Sequence, residues 1–210
     1  MADVEFFWDP VCPWAWITSR WVHEVARQRP LEVDWKFIAL RIVNEERDYA
    51  TEFAEGYEAG HNRGLYLLRV AAAVRKHVGP HAVGDLYSAY GEAMHDGRNR
   101  EAFDDRARLE ALLVDLGHPA ELAGAFDEPA YDDVIRAETA DALERCGGFI
   151  GTPVLSFAPP DGPSLFGPVI SVIPKGNEAL QVWDAVQTLA SKPYFSELKR
   201  SNRPKPDFTR

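Results

Sequence analysis

The residue with the most chemical promise is Cys12, in the run Asp9-Pro10-Val11-Cys12-Pro13-Trp14-Ala15. A proline suits the first position of a helix, so Cys12 falls at the N-cap, where unpaired backbone N–H groups and the positive helix end favour an anion. A thiolate is such an anion, and it is the nucleophilic form of cysteine. The setting predicts a thiol more acidic than the usual value of about 8.5, moderated by the nearby negative charge of Asp9. The competing reading is a small buried hydrophobe. A second element, Gly151-Thr152-Pro153, precedes a short apolar run. Its X-Pro bond is of the only type that adopts cis at modest cost, although a trans proline at a strand start is the commoner case.

The chain's other thiol, Cys146, is expected near a helix C-terminus, where the dipole disfavours a thiolate, and a structural role is the simpler expectation. His77 and His81 have the spacing of a helical metal pair, but Gly79-Pro80 between them breaks the helix, so no metal site is expected. The chain has no glycine-rich phosphate loop after a strand and no Gly-x-Ser-x-Gly elbow. Nucleotide hydride transfer and serine hydrolysis therefore lack support.

The elements that must position Cys12 are legible. Val4 to Trp8 reads as a buried strand ended by Asp9-Pro10, and Pro13 to Arg27 as a helix with Ile17, Trp21 and Val25 on one face. Leu31 to Ala39 alternates as a second strand, completing a βαβ unit. From Glu46 to Cys146 the pattern is helical, four to six helices divided at 60–64, 79–80, 95–99 and 117–119. The helix over 127–145 ends at Gly147-Gly148. Strands at 154–157 and 164–166 and a final amphipathic helix over 176–190 follow. From Ser201 the chain reads as an extended, mobile tail.

The 210 residues, 46% of them hydrophobic, suffice for one domain or one domain with a large insertion. A net charge of −10 disfavours nucleic acid and anionic membranes as partners. An acidic N-terminal run and the absence of a long apolar stretch predict neither export nor membrane insertion. Two cysteines alone suggest a reducing, cytoplasmic setting.

The strand, Asp9-Pro10-x-Cys12-Pro13-Trp14, the long helical insertion and Gly151-Thr152-Pro153 together resemble the DsbA-like thioredoxin superfamily. The closer likeness is to the mycothiol-dependent nitroreductase and thiol oxidoreductase family. It is carried by Phe7-Trp8-Asp9-Pro10, Cys12-Pro13-Trp14, Trp16-Ile17-Thr18-Ser19-Arg20-Trp21, Gly151-Thr152-Pro153, Phe166-Gly167-Pro168-Val169 and Glu197-Leu198-Lys199-Arg200. The resemblance implies an α/β thioredoxin fold, a β-α-β … α-β-β-α mixed sheet with a large all-helical insertion. Residues 1–45 and 146–200 would form the thioredoxin-like domain, 46–145 the insertion and 201–210 the tail. It further implies a cis Pro153 loop whose Thr152 faces the thiol.

The resemblance also implies no tightly bound cofactor, mycothiol or another low-molecular-weight thiol as co-substrate, and a disulfide or electrophilic small molecule as substrate. Trp14 would flank the substrate. Asn44, Tyr57 and His95 match polar positions of the family, although each also has a plain structural reading: a helix cap, a surface side chain and a helix end. One departure stands out. The dithiol pattern places a second cysteine where this chain has Ala15, so Cys12 is expected to work as a monothiol. Such an Ala15 fits a natural monothiol member, or a substitution of the kind that traps a mixed disulfide. The same fold also occurs in 2-hydroxychromene-2-carboxylate isomerases and kappa-class transferases, which bind a thiol cofactor. An isomerase, a transferase or a non-catalytic partner-binding member are therefore the alternatives.

Overall fold

The first strand, β1 (Val4–Trp8), is an apolar run interrupted only by Glu5, and every one of its residues is buried. That composition suits the interior of a sheet, and β1 lies inside one of order β2-β1-β3-β4. The computed structural model describes residues 2–148 and 150–208. Met1 and the last two residues of the expected tail lie outside them. Two compact units are present, one made of residues 1–8, 12–36 and 143–210, the other of 9–11 and 37–142.

The first unit holds the sheet. β3 (Val154–Phe157) pairs antiparallel with β1, Val4 opposite Phe157 and Phe7 opposite Val154, and β4 (Ser164–Phe166) pairs antiparallel with β3. β2 (Val33–Phe37) forms the other edge and alternates, with Trp35 and Phe37 buried. Glu5 survives inside because Arg145 donates to its carboxylate at 2.7 Å and Lys36 lies 3.7 Å away.

Helix α1 (Pro13–Ala26) turns Ile17, Trp21, Val22 and Val25 inward. It packs on α8 (Gly176–Ala190), where the Trp21 and Trp183 rings lie 5.3 Å apart and the Trp21 indole N–H donates to the Ala179 carbonyl at 3.0 Å. The tail beyond Ser201 is extended but not free. The Ser171 hydroxyl donates to the Pro204 carbonyl and the Asp207 N–H donates to the Ser171 carbonyl, at 3.3 and 2.8 Å.

The second unit is helical: α2 (Leu40–Val43), α3 (Tyr49–Glu52), α4 (Tyr57–His77), α5 (Ala82–Gly91), α6 (Arg106–Asp115) and most of α7 (Asp132–Cys146), with 3₁₀ turns over Ala120–Asp127 and Pro129–Tyr131. The break expected at 60–64 is absent: Gly60 and Gly64 lie inside α4, because Gly64 is there for close packing and not for a turn. The unit boundary also falls earlier than residue 45. Glu138 and Thr139 of α7 accept the N–H groups of Phe37 and Ala39 at 2.8 and 3.1 Å, which ties the end of β2 to the helices. His77 ends α4 and His81 caps α5, with Gly79 between them at φ +133°.

Candidate functional site

Cys12 is the N-cap residue of α1, with extended backbone (φ −82°, ψ 110°), and the residue is only 5% exposed. The Ala15 N–H donates to Sγ at 3.4 Å, which satisfies one of the orphan donors of the first turn. Sγ in turn donates to the Thr152 carbonyl at 3.4 Å. The helix start therefore supports negative charge on sulfur, and the Thr152 carbonyl marks where its proton sits in the thiol form.

Thr152 is fixed from its other side. Its hydroxyl donates to the Phe7 carbonyl at 3.1 Å, and its peptide bond to Pro153 is cis. Pro153 accepts from the Gly167 N–H at 2.8 Å. Gly167 has φ +104°, a conformation suited to glycine, and its bond to Pro168 is also cis. The Pro168 carbonyl accepts from Thr18 of α1 at 2.8 Å. The Cys12 turn, the Thr152-Pro153 loop and the Gly167-Pro168 loop thus converge on one end of α1. Trp14 is half-exposed there, while Ala15 is fully buried and presents only a methyl group.

The residues just before Cys12 are held by the helical unit. Asp9 is wholly buried, accepting from the N–H groups of Val11 and Leu40 at 3.0 and 2.7 Å. Burial outweighs these two bonds and pushes its carboxyl up to about 7. The steady negative charge expected at Asp9 is therefore absent below neutrality. A Cβ on Gly64 would lie 2.5 Å from Asp9 Oδ1, so glycine at that point of α4 makes room for the carboxyl.

His95 sits in a single π-helical turn, Glu92–Asp96, that follows α5. It is 6% exposed, and its Nε2 lies 2.9 Å from the Pro10 carbonyl. Burial, and next the Arg100 charge, bring its imidazole down to about 4 against that bond, so near neutral pH Nε2 is the protonated donor of a neutral ring.

Asn44 and Tyr57 also lie in the helical unit. Asn44 Nδ2 donates to the Leu40 carbonyl at 2.8 Å, closing its own short helix. Tyr57 opens α4, 51% exposed, within an aromatic cluster of Tyr49, Phe53 and His61. Tyr49 and His61 share a 2.8 Å hydrogen bond, and burial, with a smaller contribution from Arg41, lowers His61 to about 4.

Sequence reasoning placed Gly64 in a helix break and Thr18 only within the family-like run Trp16 to Trp21, and gave neither a part in positioning the site. A glycine inside a helical stretch was the available signal for the first, and no local pattern marks the second. Both cysteines are free, and Cys146 is pushed up to about 11 by burial despite Arg145. Among the described residues no three His, Cys, Asp or Glu side chains gather as a metal site, and no helix is long and apolar enough to cross a membrane.

Comparison with known proteins agrees with this architecture. The probable DsbA oxidoreductase SCO1869 of Streptomyces coelicolor superposes with a TM-score of 0.58 at 19% identity, covering 99% of this chain and 97% of its own. A 2-hydroxychromene-2-carboxylate isomerase gives 0.57 at 12% identity, covering 88% and 94%. The fold is thus the DsbA-like thioredoxin fold with a helical insertion. In sequence, the uncharacterized protein Rv2286c of Mycobacterium tuberculosis is 32% identical over 205 residues, 97% of this chain and 84% of that one. The model of the Rv2466c-like family, described as mycothiol-dependent nitroreductase Rv2466c, matches residues 11–200, and the chain belongs to that family.

Proposed function

We propose that the protein is a thiol-dependent oxidoreductase in which Cys12 is the single attacking thiol and mycothiol supplies the second. The observation that carries this reading is the placement of Cys12 Sγ between the Ala15 N–H and the Thr152 carbonyl, with alanine where a resolving thiol would stand. The family supports mycothiol as the partner.

In the first step the Cys12 thiolate attacks one sulfur of a disulfide. The old S–S bond breaks, a Cys12 mixed disulfide forms, and the other half leaves as a thiolate that takes up a proton. Ala15 cannot attack the mixed disulfide. A mycothiol thiolate from solution attacks the substrate-side sulfur, restoring Cys12 thiolate and leaving a mycothiol mixed disulfide. A second mycothiol converts that product to mycothiol disulfide and free substrate thiol. Two mycothiols are oxidised for each disulfide reduced, and the protein ends as it began. The Thr152 backbone beside Pro153 aligns the incoming group, and Trp14, Asn44, Tyr57 and His95 are candidates for contacting it. Two free cysteines fit a reducing, cytoplasmic setting.

The test is kinetic. Cys12 is expected to react with iodoacetamide at neutral pH faster than a free thiol, and Cys12→Ser to abolish mycothiol-dependent disulfide reduction. Reaction no faster than a free thiol, together with unchanged activity in Cys12→Ser, would remove the proposal. Isomerase turnover with a thiol cofactor bound beside an unmodified Cys12 would replace it with the alternative class.

A further inference from the structure

The sheet unit contains a cleft that Cys12 does not line. Its volume is about 710 Å³, within the usual range for a small-molecule site. One wall is the open edge strand β4 and the loop after it, through Leu165 and Val169, and another is the outer face of α8, through Val186 and Leu189. All four side chains are half-buried, so α8 buries its Trp183 stripe and leaves an apolar flank accessible. Cys146 lines the cleft, whereas Cys12 does not.

The third wall is the extended segment after α8, and its charge is opposite to that of the rest of the chain. Between Lys192 and Lys205 five cations face one carboxylate, in a protein of net charge −10. Lys199 lies 3.8 Å from Glu197, an exposed pair. Arg200 and Arg203 line the cleft and form no ion pair among the described residues. Two guanidinium groups beside an apolar trough match a ligand with a carbon skeleton and a charged oxyanion head. We infer that this cleft binds an amphipathic anion, an apolar chain or ring bearing a carboxylate or phosphate, with the apolar part along β4 and α8 and the head on Arg200 and Arg203.

Cys12 does not line the cleft, although the cleft shares Pro168 with the loop that braces Pro153, and because the test uses the Cys12→Ser form either proposal can fail alone. The experiment is calorimetric titration of the full chain, in its Cys12→Ser form, with dodecanoate below its micelle concentration. Dodecanol is the chain-only control and inorganic phosphate the charge-only control. In parallel, maleimide labelling at pH 8.5 reports on Cys146, then the sole thiol. Saturable dodecanoate binding is expected to slow Cys146 labelling at least fivefold. Dodecanol is expected to bind at least tenfold more weakly, and phosphate not to protect. Arg200→Glu with Arg203→Glu, both exposed and without a side-chain hydrogen bond or ion pair among the described residues, is expected to abolish dodecanoate binding. No dodecanoate binding, dodecanol binding equally well, protection by phosphate alone, or a charge-reversed variant that binds like the parent would each overturn the assignment.

Discussion

The Asp9 carboxyl gives a prediction whose size follows from the structure. Burial moves it from 3.8 to about 7, so folding takes up a proton at this site between those values. Because the folded pKa is the higher one, the folded state binds more protons than the unfolded state in that window. The stability is fully present below about 3.8 and is lost as pH rises through about 7. A shift of about three units corresponds to about 4 kcal/mol in full, of which about 3 kcal/mol falls between pH 5 and pH 8.

Asp9→Asn removes the titration but keeps the shape. It turns one acceptor into a donor facing the Val11 or Leu40 N–H, a fixed cost of about 1–3 kcal/mol at every pH. Urea unfolding of both proteins at pH 5 and pH 8 isolates the effect, since every other titrating group cancels in the comparison. The variant is expected to be the less stable protein at pH 5 and to gain about 3 kcal/mol on the parent by pH 8. A stability difference that stays constant to within about 1 kcal/mol over that range would refute a carboxyl destabilised by burial.

Gly64, His95 and Cys146 give further testable outcomes. Gly64→Ala gains about 1 kcal/mol of helix propensity but puts a methyl group 2.5 Å from Asp9 Oδ1. A net loss of about 1–3 kcal/mol in urea unfolding is expected. His95→Ala strips the Pro10 carbonyl of its donor and is expected to cost about 1–3 kcal/mol, with His95→Gln recovering part of it. The folded pKa of His95 lies below its ordinary 6.5, so its stability is present above about 6.5 and lost as pH falls toward about 4. The parent should therefore lose up to about 3 kcal/mol relative to His95→Gln across that window, read by urea unfolding at pH 7 and pH 4. Finally, Cys146 at about 11 is only about one part in a thousand thiolate at pH 8. Timed iodoacetamide quenching with peptide mapping should show Cys12 modified well before Cys146.

The opening of the fold was legible because local signals agree there: a β-branched and aromatic run, Asp-Pro, then Cys-Pro ahead of a helical period. The strand pair and final helix followed from the same kind of pattern, within a residue or two at each end. The helical unit was less readable for a physical reason. Gly60 and Gly64 look like a break to any local rule, and only contact with Asp9, 55 residues earlier, explains Gly64. The charge state of Asp9 was likewise hidden, since the sequence shows a carboxylate beside a thiol but not the burial that neutralises it. His95 as a donor to Pro10 depends on a π-helical turn that no spacing announced. The tail read as mobile because proline and charge dominate it, yet two hydrogen bonds to Ser171 hold it.

The most direct test of the central claim is intact-mass analysis of the full chain after exposure to oxidised mycothiol and, separately, to oxidised glutathione. A single mycothiol adduct mapping to Cys12, formed in preference to the glutathione adduct and released by added mycothiol, is the predicted result. An unmodified Cys12, or a bond between Cys12 and Cys146 in place of the adduct, would contradict a monothiol site that takes its second thiol from solution.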